Sequence, residues 1–319
     1  MAVFTHIDNL DLMDFLKNYD LNDINFFNGI NEGIQNTNYK IGIDSKEFIL
    51  TIYENMRDIK DIEFFLELMM YLSSNNIKCP TPIKNLDSKF IGKIKSKPAA
   101  ILTFLKGKSI SAVSKSNAFE LGKALADMHL NVQNFNLKKK NDLSLSGWKN
   151  LLGVNKEKLN KLEVNLYEKL TKEFKKIQNN WPNTLPSGII HADLFPDNVL
   201  FLDNKVSGLI DFYFSCTDFF AYDLSICVNA WCFDNNNKFS KDNVRALISG
   251  YQEIRALSEE ELNSLPILCS GSALRFLLTR VDNLDSSNSK DIVNYQDPNE
   301  FLSRLRFHQE INSIEDYGL

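Results

Sequence analysis

Apolar residues near helical spacing open the chain: between Asp8 and Asn18, Leu10, Met13 and Leu16 recur on one side and predict a helix. Strand character follows at Asn25 to Asn28, which runs into the Gly- and Asn-rich stretch Gly29 to Asn36. Thr37 to Ile43 and Glu47 to Tyr53 then read as a hairpin closed by the polar link Asp44-Ser45. Ile62, Phe65, Leu66, Met69 and Leu72 give Asp61 to Ser73 a strong helical face, and Cys79-Pro80-Thr81-Pro82 turns the chain after it. Two short strands are expected around Phe90-Ile91 and Ala99 to Phe104.

Past Leu105 the pattern changes. Lys106-Gly107-Lys108 reads as a loop and Ser114 to His129 as a helix, with Phe119, Leu121, Leu125 and Met128 near one face. The polar stretch Asn131 to Ser146 is a connector, and Gly147 to Asn180 reads as one or two surface helices. Short strands are predicted at Gly188 to His191, Val199 to Leu202 and Val206 to Asp211. The remainder is mostly helical, and the capping box Ser258-Glu259-Glu260-Glu261 opens a helix reaching about Val281. The expectation is an α+β chain in two lobes. A small β-rich part spans 1–105, a larger helical part spans 106–319, and the crevice between such lobes is a usual place for a ligand.

Charge and cysteine content narrow the partners. With 36 basic and 41 acidic residues the net charge is -5, and no basic stripe is present, which excludes a nucleic-acid backbone binder. The run Lys138-Lys139-Lys140 falls in the polar connector and reads as solvated surface. The five cysteines are odd in number and form no C-x-x-C pair, so neither a metal knuckle nor a disulfide framework is expected, and reduced thiols in the cytoplasm are the default. Met1 to Asp8 has no signal-peptide pattern, Ala2 excludes myristoylation, and no run of apolar residues is long enough to span a membrane.

The chemistry concentrates in Gly188-Ile189-Ile190-His191-Ala192-Asp193-Leu194-Phe195-Pro196-Asp197-Asn198-Val199-Leu200. It contains H-x-D-x-x-x-x-N, and Leu209-Ile210-Asp211-Phe212 places an aspartate thirteen residues after Asn198. This is the layout of a kinase catalytic loop followed by a metal-binding aspartate. Asp193, in a loop after a strand, can accept a proton from a substrate hydroxyl. The Val199–Asp211 hairpin brings Asp211 back beside Asn198, giving an amide and a carboxylate oxygen for Mg²⁺. One such motif alone would read as ordinary turn residues; two at this separation point to phosphoryl transfer. His191 is a candidate base, although organising the loop is the commoner role for such a histidine.

A phosphate-covering loop is expected at Gly29 to Asn36, with Gly33 and Asn36 in it and Thr37 just after it. The strand Phe48 to Glu54 should carry a lysine for the phosphates, but the matching position is Thr51. Arg57 or Lys60 could compensate, Thr51 could only hydrogen-bond, or the chain could be a pseudokinase; the intact Asp193, Asn198 and Asp211 argue against the last.

Nearly end to end the chain resembles the kinase-like homoserine kinases, a branch of the aminoglycoside phosphotransferase and choline kinase superfamily. The residues that carry the resemblance include Met1 to Thr5, Asn36-Thr37-Asn38-Tyr39, Leu50 to Glu54, Phe104-Leu105-Lys106-Gly107 and Leu125 to His129. His191 to Asn198, Ile210 to Phe214, Tyr222-Asp223-Leu224, Asn229 to Cys232 and Ala273 to Arg280 continue it. Thr51 looks usual for this branch, and Gln35 departs from a more often acidic position. The resemblance implies a protein-kinase-like fold and ATP- and Mg²⁺-dependent phosphorylation of the side-chain hydroxyl of L-homoserine, a step toward threonine, by a monomer or homodimer. It implies a hinge at Phe104-Leu105 for adenine. Arg275 and Arg280 become candidate cations for the substrate carboxylate, Asp218 a partner for its ammonium, and Tyr213, Phe214 and Trp231 pocket walls. Each arginine could instead form a surface ion pair, and each aromatic could be core. Choline or ethanolamine kinases, with aromatics such as Tyr213 and Trp231 as a cation cage, and aminoglycoside kinases, with the acids Glu300, Glu310, Glu315 and Asp316, are the rival enzymes. A nucleotide-binding scaffold is the non-enzyme alternative.

Overall fold

Two consecutive strands, buried at alternate positions at first and continuously toward their ends, build the core of the first unit. The computed structural model describes residues 5–21, 24–30, 36–54, 58–284 and 296–319, and its backbone divides between Lys106 and Gly107 into two units. In the first, helix α1 (Asn9–Leu16) is closed at its start by a reciprocal Asp8–Asp11 capping box. It buries Leu12, Phe15 and Leu16, whereas Leu10 and Met13 are 76% and 56% exposed. The expected face was therefore wrong by a fraction of a turn: the i, i+3, i+4 set that meets the sheet is 12, 15, 16.

Strands β1 (Ile24–Ile30), β2 (Thr37–Ile43) and β3 (Lys46–Ile52) precede helix α2 (Ile59–Ser74); β4 (Pro82–Ile83), β5 (Gly92–Ile94) and β6 (Lys97–Thr103) follow it. All pair antiparallel in the order β1-β2-β3-β6-β4, with β5 also on β6. Asp44 and Ser45 take φ of 48° and 62°, the left-handed pair of a two-residue hairpin turn, and so confirm the predicted link. Tyr39, Ile41, Ile43, Leu50, Ile52, Ala99 and Ile101 form one buried face, onto which α1 packs Phe15 and Leu16. Two expectations need correction. Phe90-Ile91 is not a strand, because pairing with β6 begins at Gly92; and the Pro80-Thr81-Pro82 turn already contains a strand residue, since Pro82 pairs with Leu102. Proline is tolerated there because β4 is an edge.

The second unit is mostly helical. Helix α3 (Lys115–Asn131) is followed by α4 (Leu145–Val154), α5 (Lys156–Leu162) and α6 (Leu166–Asn180), so the Gly147–Asn180 region is three helices. Nor is it all surface: Trp148 is fully buried, edge-on to Trp181 at 5.2 Å. Strands β7 (Ser187–Ile190), β8 (Val199–Leu202) and β9 (Lys205–Leu209) match the predicted three, while β10 (Cys216–Phe219) was not foreseen. Helices α7 (Phe220–Trp231), α8 (Lys241–Gln252), α9 (Glu259–Asp282) and α10 (Pro298–Gln309) complete the unit. Every residue of α7 is buried, which makes it the central helix. A Cβ on Gly122 of α3 would meet the Leu247 carbonyl at 2.1 Å, and one on Gly250 of α8 would meet the Phe119 carbonyl at 2.0 Å; the two glycines let α3 and α8 pack backbone to backbone. All five cysteines are free and buried, and among the described residues no helix is long and apolar enough to cross a membrane.

Buried histidines make this unit acid-sensitive. His308 lies between the Tyr317 hydroxyl (2.7 Å) and Asn229 Oδ1 (3.1 Å); burial and, secondarily, Arg304 push its pKa down to about 3. His191, on the loop after β7, is lowered to about 4 by burial. Both folded values lie below the unfolded value of about 6.5. The unfolded chain therefore binds more protons between pH 6.5 and 4, and stability is whole above that window and lost as pH falls through it. Each histidine contributes a slope of about 1.4 kcal/mol per pH unit there. Urea unfolding at intervals from pH 7.5 to 5 should show a midpoint that falls below pH 6.5, and His308→Gln should make that fall shallower. A midpoint unchanged between pH 7 and 5 would overturn this.

Candidate active site

Two strand pairs of the second unit assemble the site. β10 backs β7 in antiparallel register, with Cys216 opposite Ile190 and Asp218 opposite Gly188, and β7 delivers the chain to His191. After Asp193 a single 3-10 turn, Pro196–Asn198, feeds the β8–β9 hairpin. Val199 pairs with Leu209, and the Ile210 N–H donates to the Asn198 carbonyl at 3.0 Å, so Asp211 returns beside Asn198. Asn198 Nδ2 donates to the Asp193 carbonyl (2.8 Å) and to Asp193 Oδ2 (3.2 Å). The three polar residues of the two motifs thus form one cluster.

That cluster concentrates negative charge. Burial, then the charge of Asp211, holds the half-buried Asp193 carboxyl well above the usual carboxylate range, while Arg275 and the Asn198 amide oppose the rise. Asp211 keeps exposed surface, yet crowding by the protein around it and the charge of Asp197 push it up to about 6.

The loop that carries Asp193 is held by side chains from four directions. Ala192 and Asp211 both have φ of 65°, in the left-handed region, which costs an L-residue roughly 1–2 kcal/mol. Asp223 of α7 accepts from the N–H groups of His191 and Ala192, both at 2.8 Å, and from His129 Nε2 at 3.1 Å. Three successive carbonyls are taken as well: Ala192 by Arg275 Nη1 (2.7 Å), Asp193 by Asn198, and Leu194 by Trp231 Nε1 (2.7 Å). His191 donates from Nε2 to the Ile210 carbonyl at 3.0 Å and lies 4.6 Å from the Phe212 ring. Its imidazole is neutral and ties the loop to the hairpin.

A model of a phosphotransferase enzyme family (APH) matches residues 27–257. The chain belongs to this family. The phosphotransferase is 42% identical to a homoserine kinase of Agrobacterium fabrum, across all of this chain and 99% of the relative. A homoserine kinase of Mesorhizobium japonicum is also 42% identical, across the whole of both chains. Among solved structures, an amicoumacin kinase in complex with AMP-PNP, Ca²⁺ and Ami superposes with a TM-score of 0.69 at 15% identity, covering 98% of this chain and 94% of the other. Kinase relatives of this kind imply that the phosphotransferase uses ATP.

The structure brings Asp193, Asn198, Asp211 and His191 together and distributes the other candidates differently. Arg275 is 2% exposed, and its guanidinium is engaged with the Ala192 carbonyl and lies 4.5 Å from the Phe276 ring. Arg280 is paired with Glu300, which also holds Arg304, and it donates to the Asp297 carbonyl. Trp231 is fully buried with its N–H committed to Leu194, so it is core that supports the loop. Asp218 lines a cavity of about 370 Å³ with Trp148, Trp181, Phe219 and Tyr222, but Asn141 Nδ2 (2.6 Å) and the Phe219 N–H (2.8 Å) already bond its carboxylate. Tyr213 is half-buried, two residues past Asp211.

In the first unit, Thr51 is 1% exposed and donates to Asn38 Oδ1 at 2.8 Å, so it only hydrogen-bonds. Thr37 is buried and donates to Glu54, which also pairs with Lys97. Asn36 is buried, Phe104 lies 4.0 Å under Lys40 Nζ, and Leu105 is half-buried. Lys60 is exposed at the start of α2. Gly33 and Arg57 lie outside the described residues. The functional group that motif reading missed is Asp223. Its signal is a lone charged residue in the otherwise uncharged, mostly apolar run Phe219 to Val228, a pattern that demands buried donors.

Proposed function

We propose that this phosphotransferase moves the terminal phosphoryl group of ATP to the side-chain hydroxyl of L-homoserine. The observation that carries the substrate is the identity to homoserine kinases, which runs through the whole chain rather than through the shared loop alone. Asp193 accepts the hydroxyl proton as the oxygen attacks. Asn198 and the clamped carbonyls fix where Asp193 points. His191 braces the loop and carries no proton of the reaction.

The residues present fit a divalent cation. The charges of Asp211 and Asp197 raise the pKa of Asp193, and that of Asp197 raises Asp211, which marks a site short of positive charge; Asn198 and Asp211 offer the hard oxygen donors that Mg²⁺ prefers. Among the described residues no group of three or more His, Cys, Asp or Glu forms a metal cage, so two protein donors would hold an ion whose other ligands are phosphate and water. When bound, Mg²⁺ offsets the charge on the transferring group.

We assign nucleotide binding to the first unit, residues 1–105, and the chemistry to residues 106–319. Phe104 and Leu105 supply the backbone that meets the base, and Gly33, Asn36 and Thr37 the phosphate loop, with Thr51 in place of a strand lysine. Tyr213 borders the acceptor. Asp218 fixes the connector that carries Asn141, and Arg280 belongs to the Glu300 ion-pair cluster. Two residues of the rival readings are committed elsewhere: Trp231 donates its N–H to the Leu194 carbonyl, and Glu300 pairs with Arg280 and Arg304. Five free, buried thiols suit a reducing cytoplasm.

Coupled turnover with homoserine, choline, ethanolamine and kanamycin tests this directly. Homoserine should exceed the others in kcat/KM by at least about 10²-fold, the discrimination that a site bonding a substrate's polar groups reaches easily. A different preferred alcohol, or none turned over, would overturn the reading.

A further inference from the structure

Helix α9 reaches the catalytic loop through the side chain of Arg275. α9 is held in place by bonds to α7: Asn229 Nδ2 donates to the Cys269 carbonyl (3.0 Å) and to Ser272 Oγ (2.8 Å), and Ser225 Oγ donates to the Leu268 carbonyl (3.2 Å). The Arg275 guanidinium lies over the rings of Phe276 (4.5 Å) and Phe214 (5.7 Å), which restrict where it can point. Nη1 donates to the Ala192 carbonyl at 2.7 Å. The same residue has its N–H bound by Asp223 at 2.8 Å. Ala192 is therefore gripped at both ends, by an anion on its N–H and a cation on its carbonyl, in the left-handed conformation that an alanine does not choose. The carbonyl gripped by Arg275 belongs to the peptide that leads into Asp193.

We propose that Arg275 is a positioning residue for Asp193: by holding the Ala192 carbonyl it fixes the peptide that aims the Asp193 carboxylate at the acceptor hydroxyl, and it does not bind the substrate carboxylate. This rests on the homoserine kinase reading of the site. The two roles predict opposite kinetics. A substrate clamp acts on binding, so its loss raises the acceptor KM. A loop brace acts on the geometry of the base, so its loss lowers kcat, and a displacement of about 1 Å in such a group can cost on the order of 10²-fold.

The test measures kcat and both KM values for Arg275→Met and Arg275→Lys, at a temperature well below each variant's melting point. Arg275→Met should lower kcat by about 10- to 100-fold with the homoserine KM within a few-fold of wild type. Arg275→Lys should recover part of the loss, because an ammonium still donates to the Ala192 carbonyl. A homoserine KM raised more than about tenfold with kcat preserved would overturn the proposal in favour of the clamp, as would an unchanged kcat in Arg275→Met. Should the methionine variant fail to fold, Arg275→Lys and Phe276→Leu, which removes the ring beside the guanidinium, decide on the same split: a lowered kcat with KM unmoved supports the brace, and unchanged kcat in both overturns it. A wild-type enzyme that ignores homoserine but phosphorylates another alcohol would sink the substrate assignment, and the kcat–KM split on that alcohol would still decide the role of Arg275.

Discussion

Asp193→Asn should lower kcat for homoserine phosphorylation by about 10²- to 10⁴-fold, the range that a positioned general base contributes. The asparagine variant is the sharper instrument because it separates chemistry from architecture. Asn198 donates to the Asp193 carbonyl and to Oδ2, and an amide oxygen at that place can accept the second bond as the carboxylate does. The backbone clamps from Arg275, Trp231 and Asp223 do not involve the side chain at all. What the substitution removes is the capacity to take up the hydroxyl proton. Asp193→Ala should lose as much or more, since Asn198 also loses a side-chain partner. ATP affinity, measured by calorimetry without acceptor, should stay within a few-fold in both, because none of the proposed nucleotide contacts involves the Asp193 side chain. Turnover near wild type in Asp193→Asn would remove Asp193 from the role of base.

How far the sequence leads depends on the distance over which each feature is specified. The cluster of Asp193, Asn198 and Asp211 was legible because it is set by local geometry: a one-turn 3-10 segment and a hairpin with the two-residue link Asp203-Asn204, both left-handed, place the three side chains from spacing alone. The β2–β3 hairpin was legible for the same reason. The supporting side chains were not. Arg275 lies 83 residues from the carbonyl it holds, and Trp231 lies 37 from its own. Periodicity shows that such residues sit on buried helices, but not which way a long side chain reaches, and the chemistry of a guanidinium suggested a substrate carboxylate equally well. The face of α1 failed differently. In an eight-residue helix with apolar residues at 10, 12, 13, 15 and 16, two faces satisfy the same spacing, and only the sheet it meets chooses between them. β4 and β10, of two and four residues, are defined by partners far away in the chain.

Asp223→Ala should be the most destabilising single substitution in the site, by about 3–5 kcal/mol, for a reason that has nothing to do with bond making in the substrate. The Asp223 carboxylate is fully buried and faces three N–H donors: the backbones of His191 and Ala192 and the ring of His129. Burial alone would raise its pKa, but the hydrogen bonds and nearby histidines hold it below the usual range, so it is an anion throughout the neutral region. His129 is itself pushed down by burial and is neutral; its Nδ1 meets the Tyr251 hydroxyl at 2.8 Å, which orients Nε2–H toward Asp223. The anion is thus stabilised by fixed dipoles rather than by a formal cation, and each dipole in turn needs the anion. Removing the carboxylate leaves three buried donors without a partner, each costing about 1–3 kcal/mol before relaxation. Asp223→Asn keeps one acceptor oxygen but turns an NH₂ toward a remaining N–H, so it should recover only part of the loss. Thermal melting of both variants reads the stability effect. The activity of the asparagine variant, at a temperature where it is folded, reads the second consequence: kcat should fall, because the two N–H groups that Asp223 holds belong to the residues immediately before Asp193. A melting temperature unchanged in Asp223→Ala would mean that Ala192 keeps its left-handed conformation without the anion, and the loop would then be held chiefly from its carbonyl side, by Arg275, Asn198 and Trp231.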